Sequence, residues 1–589
     1  MTISHSTEEM TIRQTLEKNK LLLLSLVVGV TSGLASVLLT YMISGIKKFV
    51  DSRVNLAENS LPYLILPGIG MLIALLVVRY LVKDNIGHGV TKVLLAVSRN
   101  DSKIKPHNVW SSLLTSSVTI GLGGSVGAEA PIVYTGAAIG SNIGRVFNLS
   151  YRDITILLGC GAAGAVSGIF KAPLAGVLFT IEILLFNVSM VSMLPLLLST
   201  VSAAMVSWLI LGQDPVFVCD IVPFSMGNVP FYLIMGVIMG LCSLYFTNGT
   251  LWLEDRLGKI GNSYLKWILC AVALGFLIFV FPPLYGEGYG SVINLLNGRS
   301  LEVEDVYLLS RIISNPWCIP LFFLLVFIMK VPAMTLTNSG GGVGGTFGPT
   351  LFSGAMMGFV IARSLNLLGA SVPESNFVLV GMAALMAGVM QAPLTAIFLI
   401  AEVSAGYNLF IPLIITSTIS FGTVRLFEKY SIYTKRIAQS GDLLTHDSDQ
   451  AVVTLLRTSD LVRDKYPRVR VDDTLGTYVD AIAGNDAAVV AVLDEEGRFQ
   501  GMVDVANTRK NILDKEKYDS LYVYNFMEEA PAIVSIDEKM DDVLAKFDKT
   551  GAWRLPVLDA DGHYAGFISK SRILMAYRSE LKEISSGDM

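Results

Sequence analysis

Glu129 is the residue whose chemistry needs explaining. It lies in Gly123-Gly-Ser-Val-Gly-Ala-Glu-Ala-Pro131, within a long apolar region. A carboxylate at membrane depth is costly to keep there and marks a functional position by default. The glycines leave the backbone bare, and Pro131 suits the first turn of a helix. A helix that starts here aims unpaired N–H groups at whatever lies in front of it, which makes an anion site. Glu129 is then a tethered anion beside a site for free ones. The plainer reading is a buried acid paired with a structural base, for which Lys105 and Arg145 are the nearest in sequence, both at expected helix ends. Such an anion site needs no buried Lys or Arg, because partial charges from several helix ends bind and release where a full charge would hold too tightly.

A second stretch repeats the first. Gly342, Gly345 and Pro349 follow Gly124, Gly127 and Pro131 at a constant offset of 218 residues. Phe347 thereby takes the place of Glu129. Ala172-Pro-Leu174 leads to Glu182, and Ala392-Pro-Leu394 leads to Glu402, at an offset of 220. Two unrelated motifs recurring at nearly one offset indicate an internal duplication. Duplicated membrane halves with Gly/Pro-broken apolar segments in matching places point to a transport site at the repeat interface.

These motifs resemble those of the CLC family of chloride channels and chloride/proton antiporters, over roughly residues 20–436. The family's Gly-Lys/Arg-Glu-Gly-Pro signature appears as Gly127-Ala-Glu-Ala-Pro131, and its Gly-x-Phe-x-Pro as Gly345-Thr-Phe-Gly-Pro349. Its Gly-Ser-Gly-Ile-Pro is altered to Gly87-His-Gly-Val-Thr91. The resemblance implies a mainly α, polytopic membrane fold of two inverted repeats with broken helices, assembled as a homodimer with one pathway per subunit. It makes Glu129 the gating glutamate. Chloride would be met by His88, Gly89, Val90, Gly127, Ala128, Thr346, Phe347 and the hydroxyl of Tyr433, on the closing helix. His88 stands where the family usually has serine, and it could donate from either ring nitrogen and add pH sensitivity. Thr91 and Lys92 depart from the signature too. Antiporters of the family commonly carry two adjacent glutamates at positions 182 and 183. Here they are Glu182 and Ile183, so Glu182 or water must carry the proton, or coupling is absent. Glu402, the repeat partner of Glu182, is read as structural.

The elements that would position these groups follow from hydropathy. Hydrophobic residues make up 52% of the 589, and mean hydropathy is +0.58, so most of the chain belongs in a membrane. Residues 1–20 form a polar N-terminal segment whose Lys18 and Lys20 favour a cytoplasmic start. Leu21 to Ile46 is a first span, too long for a signal-peptide core. Pro62 to Val82 is a second, a shorter helix runs to Val97, and two short helices flank the Glu129 loop. The halves divide at about 21–212 and 230–436. Residues 441–589 hold 46 of the 93 charged residues, which marks a soluble tail. After a linker at 437–465, strand, acidic turn, strand and helix occur twice, about 65 residues apart. Asp494-Glu-Glu-Gly497 and Asp559-Ala-Asp-Gly562 are the turns. The tail resembles a cytoplasmic α/β tandem of CBS modules, expected at 466–519 and 520–580. Ser569 and Arg572 are its candidate ligand residues. Arg572 stands where nucleotide-binding modules carry an Asp that holds ribose, which disfavours adenine nucleotides and suits a phosphate-rich ligand or a purely structural module.

No metal set is visible, no cofactor is expected, and the five cysteines read as core thiols. A net charge of −5 without basic runs gives no sign of nucleic acid. The expected function is transmembrane chloride transport in a cell membrane with both termini cytoplasmic. Antiport is the first reading and a passive channel the second. A CBS-regulated cation transporter would favour acidic clusters and carbonyl ligands, which this core lacks. A membrane enzyme finds no Ser/His/Asp set, and Tyr433 with Phe347 fits the chloride type of the family better than a fluoride exporter.

Overall fold

A computed structural model of the chain describes residues 2–53, 61–84, 86–87, 89–99, 102–184, 190–217, 221–299, 315–404, 406–439, 456–485, 487–559 and 561–585. The chain divides into a unit over Met1–Leu443 and a unit over Leu444–Met589.

The first unit is helical. Its first half contains α1 (Thr2–Arg53), α2 (Leu61–Leu76), α3 (Gly89–Arg99), α4 (Asn108–Gly121), α5 (Glu129–Val146), α6 (Tyr151–Phe170), α7 (Pro173–Glu182) and α8 (Met190–Leu211). The second half contains α9 (Val229–Gly258), α10 (Ser263–Val280), α11 (Tyr289–Leu296), α12 (Cys318–Ser339), α13 (Phe347–Leu367), α14 (Glu374–Met390), α15 (Pro393–Val403), α16 (Phe410–Arg425) and the short α17 (Ile432–Gln439). Eight helices among the described residues are long and apolar enough to cross a membrane. Pro173–Glu182, Glu374–Met390, Pro393–Val403 and Phe410–Arg425 are shorter apolar helices, of the kind tolerated at membrane depth where protein surrounds them. Helix α1 runs straight through the boundary expected at residue 20.

The duplication is visible in the backbone. The breaks between α6 and α7 and between α14 and α15 each turn on a left-handed residue, Lys171 (φ 56°) and Gln391 (φ 53°). Gly123 (φ 99°) and Gly341 (φ 101°) are matched in the same way ahead of α5 and α13. Glu182 ends α7 and caps the start of α15, accepting from Leu394 N at 3.0 Å and from Thr395 N and Oγ1 at 2.7 Å each. Glu402 of α15 caps the start of α7, accepting from Leu174 N at 3.1 Å and Ala175 N at 2.9 Å. Matching backbone contacts given and returned fit a local two-fold relation between the halves, as an inverted repeat provides. Each carboxylate satisfies two N–H groups that a helix leaves unpaired at its start.

The second unit carries two three-stranded sheets. In one, β1 (Arg468–Arg470) runs parallel to β2 (Val489–Leu493), which is antiparallel to β3 (Phe499–Asp504). In the other, β4 (Val534–Ser535), β5 (Arg554–Leu558) and β6 (Tyr564–Ser569) repeat that order. The irregularity at Val492/Leu493 returns at Val557/Leu558, an offset of 65. In the turns, Asp494 Oδ1 accepts from Glu496 N and Arg498 N, and Asp559 Oδ1 from Asp561 N and His563 N. The Asp494 carboxyl is held below the usual range, first by the Arg498 N–H. The sheets share a core in which Val489, Ala491 and Leu493 meet Tyr564 and Phe567.

The packed cores cross the expected module borders. Leu456 and Leu461, placed in the linker, pack into the core of the second module with Val534 and Phe547. Val523 and Phe526, placed in the second module, pack with Val469 and Tyr478 of the first. Each module therefore borrows a segment from across the expected border, because a strand-and-helix pair alone does not close its core.

Replacing Glu402 or Glu182 with Gln removes a charged cap. Each change is expected to cost about 1–2 kcal/mol. Thermal melting of the detergent-solubilised variants checks this, and wild-type melting in either would show that the exchanged caps carry no weight.

Candidate functional site

The two glycine-rich loops meet each other. Gly127 and Gly345 form an isolated antiparallel bridge, with Gly127 N donating to Gly345 O at 3.1 Å and Gly345 N to Gly127 O at 2.8 Å. Immediately beyond the bridge, Glu129 is the first residue of α5 and Phe347 the first of α13. The repeats thus bring two helix starts to one point, as their alignment implied.

Glu129 is buried, and its side chain folds onto the opposite repeat. Oε2 accepts from Gly348 N, in the first turn of α13, at 3.1 Å. Oε1 accepts from the hydroxyl of Tyr289 at 2.5 Å. The carboxylate therefore occupies a helix N-terminus, a place suited to an anion. Lys105 and Arg145 are not its partners: Lys105 bonds Asp84 at 2.9 Å, and Arg145 is exposed. The fold needs glycine at 127, since a Cβ there would lie 2.1 Å from Glu129 Oε2 and 2.8 Å from Gly348 N.

Other expected residues converge here. Thr346 donates its hydroxyl to the buried Tyr433 hydroxyl at 3.2 Å, which ties α17 to the start of α13 and leaves the Tyr433 O–H to donate elsewhere. Tyr433 lies on the eight-residue α17, the helix that closes the first unit's helical run. Phe347 packs against Phe170 and Phe179, with ring centroids 5.5 and 6.2 Å away. Gly89, Val90 and Ala128 are buried, and a Cβ on Gly89 would lie 2.4 Å from Ala130 O, so α3 starts directly against α5. His88 lies outside the described residues.

Two expectations fare differently. Glu182 caps a helix start as Glu402 does and accepts in addition from the Thr395 hydroxyl at 2.7 Å. Ile183 is buried at the end of α7. In the tail, Ser569 Oγ accepts from Arg572 N at 3.3 Å, which makes Ser569 a cap for the final helix. Arg572 Nε is buried without a hydrogen-bond partner.

Sequence reasoning missed Tyr289 and Lys330. Lys330 is fully buried beside the loop. Its Nζ donates to Ser125 Oγ at 2.8 Å and Gly286 O at 3.2 Å and lies 4.6 Å from the centre of the Phe352 ring. It does not touch the carboxylate of Glu129. A lysine inside an otherwise apolar helix at membrane depth was the available signal.

A duplicated α-helical membrane fold with a carboxylate laid on a helix start defines an anion-transport protein. The chain belongs to the voltage gated chloride channel family, whose model matches residues 69–425, and a CBS domain model matches residues 523–579. It is a multi-pass membrane protein of chloride transport. It is 28% identical, over 67% of its length and 90% of the relative, to a putative chloride channel protein ClcB-like of Ralstonia nicotianae. It is 27% identical, over 75% of its length and 93% of the relative, to the H(+)/Cl(-) exchange transporter ClcA of Salmonella paratyphi B. In fold it is similar to a eukaryotic CLC transporter, with a TM-score of 0.62 at 18% identity, over 95% of this chain and 98% of that one.

Lys330→Met leaves the Gly286 carbonyl and the Ser125 hydroxyl without their buried donor. The change is expected to cost about 3 kcal/mol. Denaturation in detergent checks this, and unchanged stability would mean that the ammonium merely fills space.

Proposed function

We propose that this protein exchanges chloride for protons, with Glu129 as the group that meets both. The observation that carries the reading is the bond from Gly348 N to Glu129 Oε2, which seats a carboxylate where a halide would sit. Carboxylate and chloride compete for one set of N–H donors. Proton uptake neutralises Glu129 and releases it, and chloride takes its place. The return of the ionised side chain expels chloride. Gly127, Ala128, Thr346 and Phe347 supply backbone at the two helix starts, Gly89 and Val90 the start of α3, and Tyr433 a hydroxyl, with His88 a further anion contact by sequence alone. Ile183 cannot carry a proton, so the inner half of the path runs through water. Both termini face the cytoplasm, the protein acts as a homodimer in the cell membrane, and the tail is a CBS tandem whose Arg572 favours a phosphate-rich ligand over adenosine. The similarity to an H(+)/Cl(-) exchange transporter supports exchange over a passive channel.

Reconstituted Glu129→Gln should pass chloride down its gradient while moving no protons and losing pH dependence. Proteoliposomes with a chloride electrode and an internal pH dye read both fluxes. Proton movement at the wild-type level in the variant would remove Glu129 from the mechanism.

A further inference from the structure

The loop Tyr285-Gly-Glu-Gly288 and the residue that follows it, Tyr289, belong to none of the repeated motifs. They are nevertheless fastened to the Glu129 loop at several points. Gly286 N donates to Gly123 O at 3.1 Å, and Gly286 O accepts from Lys330, which also holds Ser125. Gly286 (φ 63°) and Gly288 (φ 83°) turn in the left-handed region, where glycine is at ease. A Cβ on Gly288 would lie 2.5 Å from the Phe352 ring, and one on Gly123 would lie 2.0 Å from the Tyr285 ring. The loop is therefore rigid against both helix starts, and it delivers Tyr289 at the head of α11. Phe217 packs edge-on against the Tyr289 ring at 5.5 Å, which fixes the remaining side. The hydroxyl so placed meets Glu129 Oε1 at 2.5 Å.

We propose that Tyr289 is the latch of the gate: its hydroxyl holds the ionised Glu129 side chain in the anion position and lets it go on protonation. The proposal rests on the reading of Glu129 as the gate. A charge-assisted bond to a carboxylate is roughly twice as strong as one to a neutral group, so the latch discriminates between the two forms of Glu129. Tyr289 touches no chloride in this account; it is a positioning residue. The ionisable groups around the carboxylate are Glu287 and Tyr289 on the loop, Lys330 on α12 and Tyr433 on α17. Lys47 of α1 lies beyond, in an ion pair with Glu287 at 3.6 Å. Of these, among the described residues, Tyr289 is the one whose side chain hydrogen-bonds Glu129, and its loss weakens the seated position without removing a charge.

The sign follows. Phenylalanine at 289 keeps the ring and its packing but removes the donor that favours the ionised, seated carboxylate. The gate then opens at higher pH. Chloride efflux from proteoliposomes across a pH series, for wild type, Tyr289→Phe, Glu129→Gln and the double variant, reads this. The pH of half-maximal flux should rise by about one unit in Tyr289→Phe, with the acid plateau kept. In the Glu129→Gln background the second substitution should change nothing. Infrared titration of the Glu129 carboxyl band in detergent, identified by difference from Glu129→Gln, reads the same shift without transport and serves if Tyr289→Phe conducts poorly. A wild-type midpoint in both measurements, with Glu129→Gln independent of pH, overturns the latch and spares the gate. Pronounced pH dependence in Glu129→Gln overturns the gate and the latch with it.

Discussion

Backbone N–H groups at a helix start have no partner within the helix, and at membrane depth there is no bulk water to supply one. That deficit organises the transport unit. At the caps it is met permanently, with Glu182 and Glu402 each closing the other repeat's helix. At the centre it is met by the side chain of Glu129, which reaches α13 through a hydrogen bond to Gly348 N and which, in the proposed exchange, gives way to an ion. The same physical need thus gives stability in one place and turnover in another. The difference lies in whether the acid has a competitor.

Duplication makes the central arrangement possible. One helix start offers a few partial charges; two brought together by the Gly127–Gly345 bridge offer a site at the repeat interface. The repeats have diverged at one decisive position. Where the first presents Glu129 at its helix start, the second presents Phe347, packed on Phe170 and Phe179. A second carboxylate there would set two like charges at one centre, which is unfavourable. An apolar partner leaves one titrating group to set the state of the pathway.

Much of this was legible in the sequence because it rests on glycine, proline and isolated acids, which stand out in an apolar background. Gly127, Pro131 and Glu129 gave the helix start, and the offset of 218 gave its partner. The Ala-Pro-Leu breaks and the offset of 220 paired Glu182 with Glu402, although not as exchanged helix caps. Tyr289 was not legible, since a tyrosine near the end of an apolar run resembles any interfacial aromatic, and its bond to Glu129 spans 160 residues. Lys330 could have been found by the rule that flagged Glu129, had bases been weighed with acids. In the tail the repeat of 65 was readable from its acidic turns. The exchange of segments between modules was not, because Leu456 and Val523 reveal their cores only through tertiary packing.

The central claim is that carboxylate and chloride compete for the same N–H donors, and calorimetric titration of chloride into the detergent-solubilised protein at a series of pH values tests it most directly. The account predicts that chloride binds more tightly as pH falls in the wild type, as protons remove the competing carboxylate, and that Glu129→Gln binds with one affinity throughout. Chloride affinity that is independent of pH in the wild type would contradict it.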